Sequence, residues 1–333
     1  ALPEALEAAI RRYRMTVAVR QTWAERQLKA LGETATALGV PVVLVKGAAA
    51  AEAYPEVWMR PYGDIDLLVA EDDATAFLEA LKAQGYRYSE SAEGHRSWHF
   101  PPLIPDHPGC RIEVHTALAR EQGRARFTLA AWEGDLRALA PYPGLQTLSP
   151  AAHVLYLVHH GVVHHELLMG LQPYLDIGFW SQGWGSAEWE ALRTKTEDTA
   201  MENAVGLALA LMAWVWDRSL PDGAFGFRRP PASLLSEAQA AVAGAAAQRL
   251  PHIWRDMPAP AQGGALAYAR TILLGDPAQL QALSFGERIK FYLRRPIELL
   301  RNHGASLWRL LRGDPATRKA WRAQRELQRW LRE

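Results

Sequence analysis

The sequence predicts an α+β protein: a small mixed sheet with helices, followed by a C-terminal all-helical domain. Three observations carry this. Two short apolar runs, Val42-Val43-Leu44-Val45 and the Ile65 to Val69 stretch, have strand composition and are separated by an Ala-rich segment of good helix propensity. A later segment, Arg111 to Leu118, alternates polar with apolar residues, as a half-buried strand does. After Pro141-Tyr142-Pro143-Gly144 the pattern becomes strongly helical.

The elements follow in order. Residues 5–37 read as one or two helices leading into the first strand. That strand, Val42 to Val45, ends at Lys46-Gly47, and the Ala-rich run from Ala48 to Ala53 continues as a helix. In such a strand–turn–helix unit Gly47 permits close approach of a ligand to the backbone, and the free N–H groups at the helix start attract phosphate. Lys46 adds a positive charge there. The phosphate-loop motif Gly-x-x-x-x-Gly-Lys-Ser/Thr is absent. Arg60 precedes the next strand and suits bidentate binding of a terminal phosphate, or a plain ion pair with Asp64 or Glu56.

Asp64 and Asp66 are the most informative pair. Residues i and i+2 of a strand share a face, roughly 6–7 Å apart. Two carboxylates so placed repel unless a cation lies near them, and Mg²⁺ suits that role because it takes carboxylate oxygens while keeping sites for phosphate and water. The plain alternative is a turn with two solvated acids. A helix from Ala74 to Gln84 follows, then a Pro-rich loop from Pro101 to Gly109, read as a flap over the site or a surface loop. On the strand beginning at Arg111, Glu113 and His115 share one face. If it pairs beside the first acid-bearing strand, Glu113 becomes a third carboxylate, and three acids can hold two metal ions about 3.5–4 Å apart. Otherwise Glu113 is an exposed partner of Arg111. Ser149-Pro150 reads as a helix start, with Ser149 at the N-cap, and helices run on to about residue 250 with breaks at Pro230-Pro231 and Pro258 to Pro260. His153, His160 and His164 fall on one helical face, a spacing open to zinc with Asp176, to lining of a cleft, or to packing between helices; the metalloprotease His-Glu-x-x-His is absent. The expected domains are N-terminal helices over 1–37, a catalytic domain over 38–147, a helical domain over 148–280 and a basic helical segment over 281–333.

Taken together, the Lys46-Gly47 turn, Arg60-Pro61-x-Gly63-Asp64-Ile65-Asp66-Leu67-Leu68 and Glu113-x-His115 resemble a family of uncharacterised bacterial nucleotidyltransferases within the DNA polymerase β-like superfamily. The resemblance is motif-bearing over about residues 35–120 and looser from 150 to 180, through His153, His160 and Asp176. It departs from the wider superfamily at the turn, where Gly-Ser or Gly-Gly is usual and no hydroxyl stands here. It implies that Asp64, Asp66 and Glu113 carry two Mg²⁺ or Mn²⁺ ions and act as the catalytic residues. It further implies that Lys46, Gly47, Arg60 and Gly63 bind an NTP, and that His115, His160 and Asp176 touch substrate. The implied reaction moves NMP to an acceptor hydroxyl of unknown identity with release of pyrophosphate. A nucleotide-sugar donor, or a non-catalytic nucleotide-binding module, is the alternative.

Composition sets the bounds. The chain has 333 residues and 49% hydrophobic content, enough for two domains with a sizeable core. A single cysteine, Cys110, rules out an internal disulfide and a Cys-x-x-Cys pair. With an acidic, helical start in place of a basic, apolar leader, this points to the cytoplasm. No apolar run is long enough for a transmembrane span. The net charge of +1 hides an asymmetry: residues 287–333 contain 13 Lys or Arg against 5 acids. That segment reads either as a footprint for RNA or an anionic surface, or as the wet face of packed helices with Trp308, Trp321 and Trp330 turned inward.

Overall fold

The computed structural model describes residues 3–89, 100–118, 127–220, 224, 226–244, 292–294, 296–297, 301, 308–309, 312 and 314–333. The break expected at Pro258 to Pro260 and the boundary at 280/281 lie outside them. The chain separates into two compact units, Ala1–His165 with Leu171–Pro230, and Glu166–Gly170 with Pro231–Glu333.

The first unit is built on a seven-stranded mixed sheet of order β3-β4-β5-β2-β1-β7-β6. Its elements are α1 (Glu4–Leu38), β1 (Val42–Val45), α2 (Lys46–Ala50), β2 (Asp64–Val69), α3 (Glu71–Ala83), β3 (Tyr86–Tyr88), β4 (Leu103–Pro105), β5 (Arg111–His115), β6 (Leu136–Ala138) and β7 (Leu145–Leu148). The helices α4 (Pro150–Val158), α5 (Gln172–Trp180), α6 (Ser186–Thr199) and α7 (Glu202–Val215) belong to the same unit. The central strands are buried on both faces, so β1 is apolar throughout and the only polar residues of β2 are Asp64 and Asp66 at its N-terminal end. Ile65, Leu67 and Val69 of β2 and Ile112 and Val114 of β5 pack with Leu28 and Leu31 of α1 and Phe77, Leu78 and Leu81 of α3. Burying such side chains contributes about 1.5–3 kcal/mol each, which anchors the strands carrying the acids.

Register decides where those acids meet. β2 runs antiparallel to β1 with Asp66 opposite Val45, so the chain leaving β1 at Lys46 arrives over Asp66. β2 runs parallel to β5 with Asp64 opposite Arg111 and Asp66 opposite Glu113. Gln27 of α1 fixes the start of β5: its amide nitrogen donates to the Cys110 carbonyl (2.9 Å) and its oxygen accepts from the Cys110 N–H (2.5 Å).

Three local readings are corrected. The Pro-rich loop contains a strand, β4, which pairs fully with β3 but meets β5 only at Leu103 opposite Ile112. Pro105 lies past that contact and costs the β5 side no hydrogen bond. Helix α2 begins at Lys46 itself, two residues before the Ala-rich run. Ser149 does occupy the N-cap of α4, but its hydroxyl bonds Asp135 (3.2 Å) and makes no cap hydrogen bond.

In the second unit, α8 (Ala232–Val242) follows the Pro230-Pro231 break. The helix Pro315–Arg332 buries Leu327 and Trp330, and its Gln324 and Gln328 donate to the Glu166 carboxylate at 2.5 and 2.9 Å. Its Arg318, Lys319, Arg322 and Arg329 are exposed, while Trp308 before it is exposed rather than turned inward. No described helix is long and apolar enough to cross a membrane.

Candidate active site

The site forms where the ends of β1, β2 and β5 come together. Asp66 is the buried centre, 3% exposed. Its Oδ1 accepts from Lys46 Nζ at 2.6 Å and lies 3.0 Å from His115 Nε2. Glu113 stands beside it in register, with Oε2 3.9 Å from His115 Nε2. Asp64 sits at the rim: Arg111 Nη2 reaches Asp64 Oδ2 and Glu113 Oε1, each at 3.3 Å. Asp66 and Glu113 therefore stand side by side, and Arg111 links Glu113 to Asp64 at the rim.

Among the described residues, the His, Cys, Asp or Glu ligand atoms that lie within 4.8 Å of one another as a group of three belong to Asp66, Glu113 and His115. Two carboxylates and an imidazole on adjacent strands suit a divalent cation, and an imidazole favours Mn²⁺ over Mg²⁺ relative to an all-oxygen site. Asp64 stands outside this tight group and pairs with Arg111.

The electrostatics bear on the same point. Burial acts to raise the Asp66 carboxyl, but the Lys46 ammonium and His115 outweigh it and hold it well below the usual carboxylate range. Burial, and next the charge of Asp66, push Glu113 up. Burial acts to lower the Lys46 ammonium, yet Tyr156 and Asp66 more than offset it and raise it. Two neighbouring carboxyls thus differ in proton affinity, one kept ionised and the other made more basic.

The turn is shaped for close approach. A Cβ on Gly47 would stand 2.8 Å from Tyr62 Cβ, so only glycine fits, whereas a Cβ on Gly63 would meet nothing within 4 Å. Lys46 adopts φ 54°, a left-handed conformation unusual for a residue with a side chain.

Arg60 and Asp176 form a second centre. Arg60 Nε and Nη2 donate to Asp176 Oδ1 and Oδ2 at 2.8 and 2.9 Å, and Nη1 donates to the Pro61 carbonyl at 2.9 Å. Tyr54 Oη donates to Asp176 Oδ1 at 2.6 Å and Gln172 Nε2 to the same oxygen at 3.0 Å. Asp176 is 1% exposed, so its carboxylate is enclosed by this network. Arg60 nonetheless flanks the turn, with Nη1 4.0 Å from the place of a Gly47 Cβ.

The histidines divide. α4 widens into a π-helical turn over His159–His164, a feature frequent at functional sites, and this breaks the even spacing of the sequence pattern. His153 is fully buried and stacks on Trp180 at 4.6 Å. His160 gathers with His164 and His165, with ring centroids 4.5–5.8 Å apart. Burial, then the charge of Lys46, holds His160 well below the ordinary histidine range, which places it near the site. Tyr156, four residues before His160 on the same helix, was missed in the sequence. It is fully buried, its ring 6.0 Å from that of His160, and it interacts electrostatically with Lys46 and Asp66. The i, i+4 spacing to His160 was the available signal.

A mixed sheet that brings paired aspartates, a strand glutamate and a lysine–glycine turn to one edge is the arrangement expected of a nucleotidyltransferase. Residues 1–217 match the model of a family described as uncharacterised nucleotidyltransferase, and the chain belongs to that family. Among solved structures the chain is similar to the antibiotic-resistance factor ANT(2'')-Ia in solution, at 18% identity over 52% of this chain and 91% of that chain, with a TM-score of 0.36. No curated protein matches.

Proposed function

We propose that the protein is a metal-dependent nucleotidyltransferase that moves NMP from an NTP to an acceptor hydroxyl and releases pyrophosphate. The observation that carries this reading is the register that sets Asp66 beside Glu113, with Asp64 on the same face of β2 and Lys46-Gly47 directly above. Asp66, Glu113 and Asp64 would hold Mg²⁺ or Mn²⁺, two ions in the full arrangement, with His115 adjoining. A divalent ion held by these residues would supply charge neutralisation for the triphosphate and the leaving pyrophosphate. Lys46, the Gly47 turn and Arg60 form the phosphate side, and the open face at Gly63 leaves room for the nucleotide. Glu113, set beside Asp66 by the strand register, accepts the proton of the acceptor hydroxyl as its oxygen attacks the α-phosphorus and the bond to the β-phosphate breaks. His160 lies on the substrate side, and Asp176 acts through Arg60. Positioning and charge neutralisation supply most of the catalysis in such transfers.

A nucleotide-sugar donor is the second reading, because the same cradle recognises phosphates irrespective of what they carry. Product analysis separates the two: the proposal requires metal-dependent pyrophosphate release from an NTP with acceptor present, and a nucleoside diphosphate from a nucleotide sugar would replace it. The exposed arginines of the helix Pro315–Arg332 suit RNA or another polyanion. Salt-sensitive retention on heparin, lost when Arg318, Arg322 and Arg329 are changed to Gln, is the expected behaviour.

A further inference from the structure

Lys46 holds a position that a phosphate-binding lysine does not need. Its side chain is 17% exposed and its Nζ lies on Asp66 Oδ1, the oxygen that His115 also approaches. That carboxylate belongs to the three-residue group suited to a divalent cation. An ammonium within hydrogen-bond distance of a metal ligand repels an ion bound to it, steeply so in a water-poor site. The backbone of Lys46 is also in the left-handed region, φ 54°, a conformation that persists only where the surroundings impose it. Val45 before it is fixed in β1, and Gly47 after it is pressed against Tyr62. Beside the lysine stands Tyr156, fully buried, whose hydroxyl already interacts with the ammonium.

We propose that Lys46 is the resident counter-cation of the acid cluster and exchanges with the divalent ion: the ammonium leaves Asp66 as metal takes the Asp66–Glu113–His115 group. The exchange breaks no covalent bond, and the lysine keeps its proton throughout. It brings the ammonium off the carboxylate and leaves it available to the nucleotide phosphates beside Gly47. Metal loading and phosphate binding are thereby coupled through one side chain. This inference rests on the metal-dependent reading of the site, and the test keeps the two apart.

The probe is Mn²⁺ alone, titrated into the full chain without nucleotide, with free ion followed by paramagnetic resonance. Lys46→Met removes the charge, and Lys46→Gly removes the charge while suiting the left-handed backbone, so the second carries the test if the first does not fold. Both variants are expected to bind Mn²⁺ about tenfold or more tighter than wild type, since the competing ammonium is gone. At saturating Mn²⁺ the same variants are expected to bind NTP more weakly. A merely structural lysine would weaken both affinities. Mn²⁺ binding that is unchanged or weaker in folded Lys46→Gly overturns the exchange and leaves the metal site standing. No Mn²⁺ binding in wild type or in either variant overturns the exchange and the metal-dependent reading together.

Discussion

The ion pair between Arg60 and Asp176 joins residues 116 positions apart in sequence and offers the sharpest test of how α5 is docked beside the turn. Their side chains are 11% and 2% exposed, so removal of either partner leaves a charge with little access to water. Breaking a buried pair in this way costs about 3–5 kcal/mol. Asp176→Ala additionally strips Tyr54 and Gln172 of an acceptor, so the upper part of that range is expected. For a unit of this size the loss corresponds to a fall in Tm of roughly 6–20 °C. Arg60→Met should cost a similar amount, because it strands the Asp176 carboxylate. The double variant Arg60→Met/Asp176→Ala should cost less than the sum of the two single losses, since neither charge then remains buried, while the lost acceptor of Tyr54 and Gln172 stays uncompensated. Urea unfolding followed by circular dichroism, completed as a double-mutant cycle, measures all three terms. Single-variant losses under about 1 kcal/mol, the range of solvent-exposed pairs, would refute the reasoning.

Other outcomes follow from the same structure. Asp66→Asn and Glu113→Gln should each abolish NMP transfer with the far-UV spectrum retained, and Asp64→Asn should do so with smaller change in stability because it stands at the rim; unchanged turnover in any of them removes that residue from the mechanism. Burial, then Arg137 and Arg60, pushes His153 down to about 3, and burial with His165 pushes His159 down to about 4, from an ordinary 6.5. A histidine kept neutral in the fold but protonated when unfolded gives stability that is complete above its unfolded pKa and is lost as pH falls toward the folded value. Between pH 7 and pH 5 each should cost about 2 kcal/mol and His160, held down in the same way, adds to the loss, so the urea midpoint should drop over that window, and His153→Phe should remove about 2 kcal/mol of the drop. A midpoint flat from pH 7 to pH 5 would contradict the burial of both rings.

Much of the candidate site was legible in the sequence because its signals are local. Apolar runs with period-2 acids placed Asp64 and Asp66 on one face of β2, and the alternation from Arg111 placed Glu113 and His115 on one face of β5. Their meeting needed only that the two strands be neighbours, which the register bears out. What was not legible depends on partners distant in sequence. Arg60 has donors for phosphate and for carboxylate alike, and only the docking of α5 determines that Asp176 takes two of them. Lys46 reads as a phosphate ligand from its place at the turn, whereas its left-handed backbone turns the side chain onto Asp66. The histidine face drawn at 3.6 residues per turn fails because the helix widens at His159, which parts His153 from His160. Strand β4 was hidden by Pro105 and the prolines around it; Pro105 is tolerated because β5 pairs with β4 at one position alone.

The most direct test of the central claim is calorimetric titration of each of the four NTPs, with and without Mg²⁺, into wild type and into Asp64→Asn/Asp66→Asn. The account predicts binding of at least one NTP that requires Mg²⁺ and disappears in the double variant. Absence of binding by every NTP in the presence of Mg²⁺, or equal binding by the double variant, would contradict it.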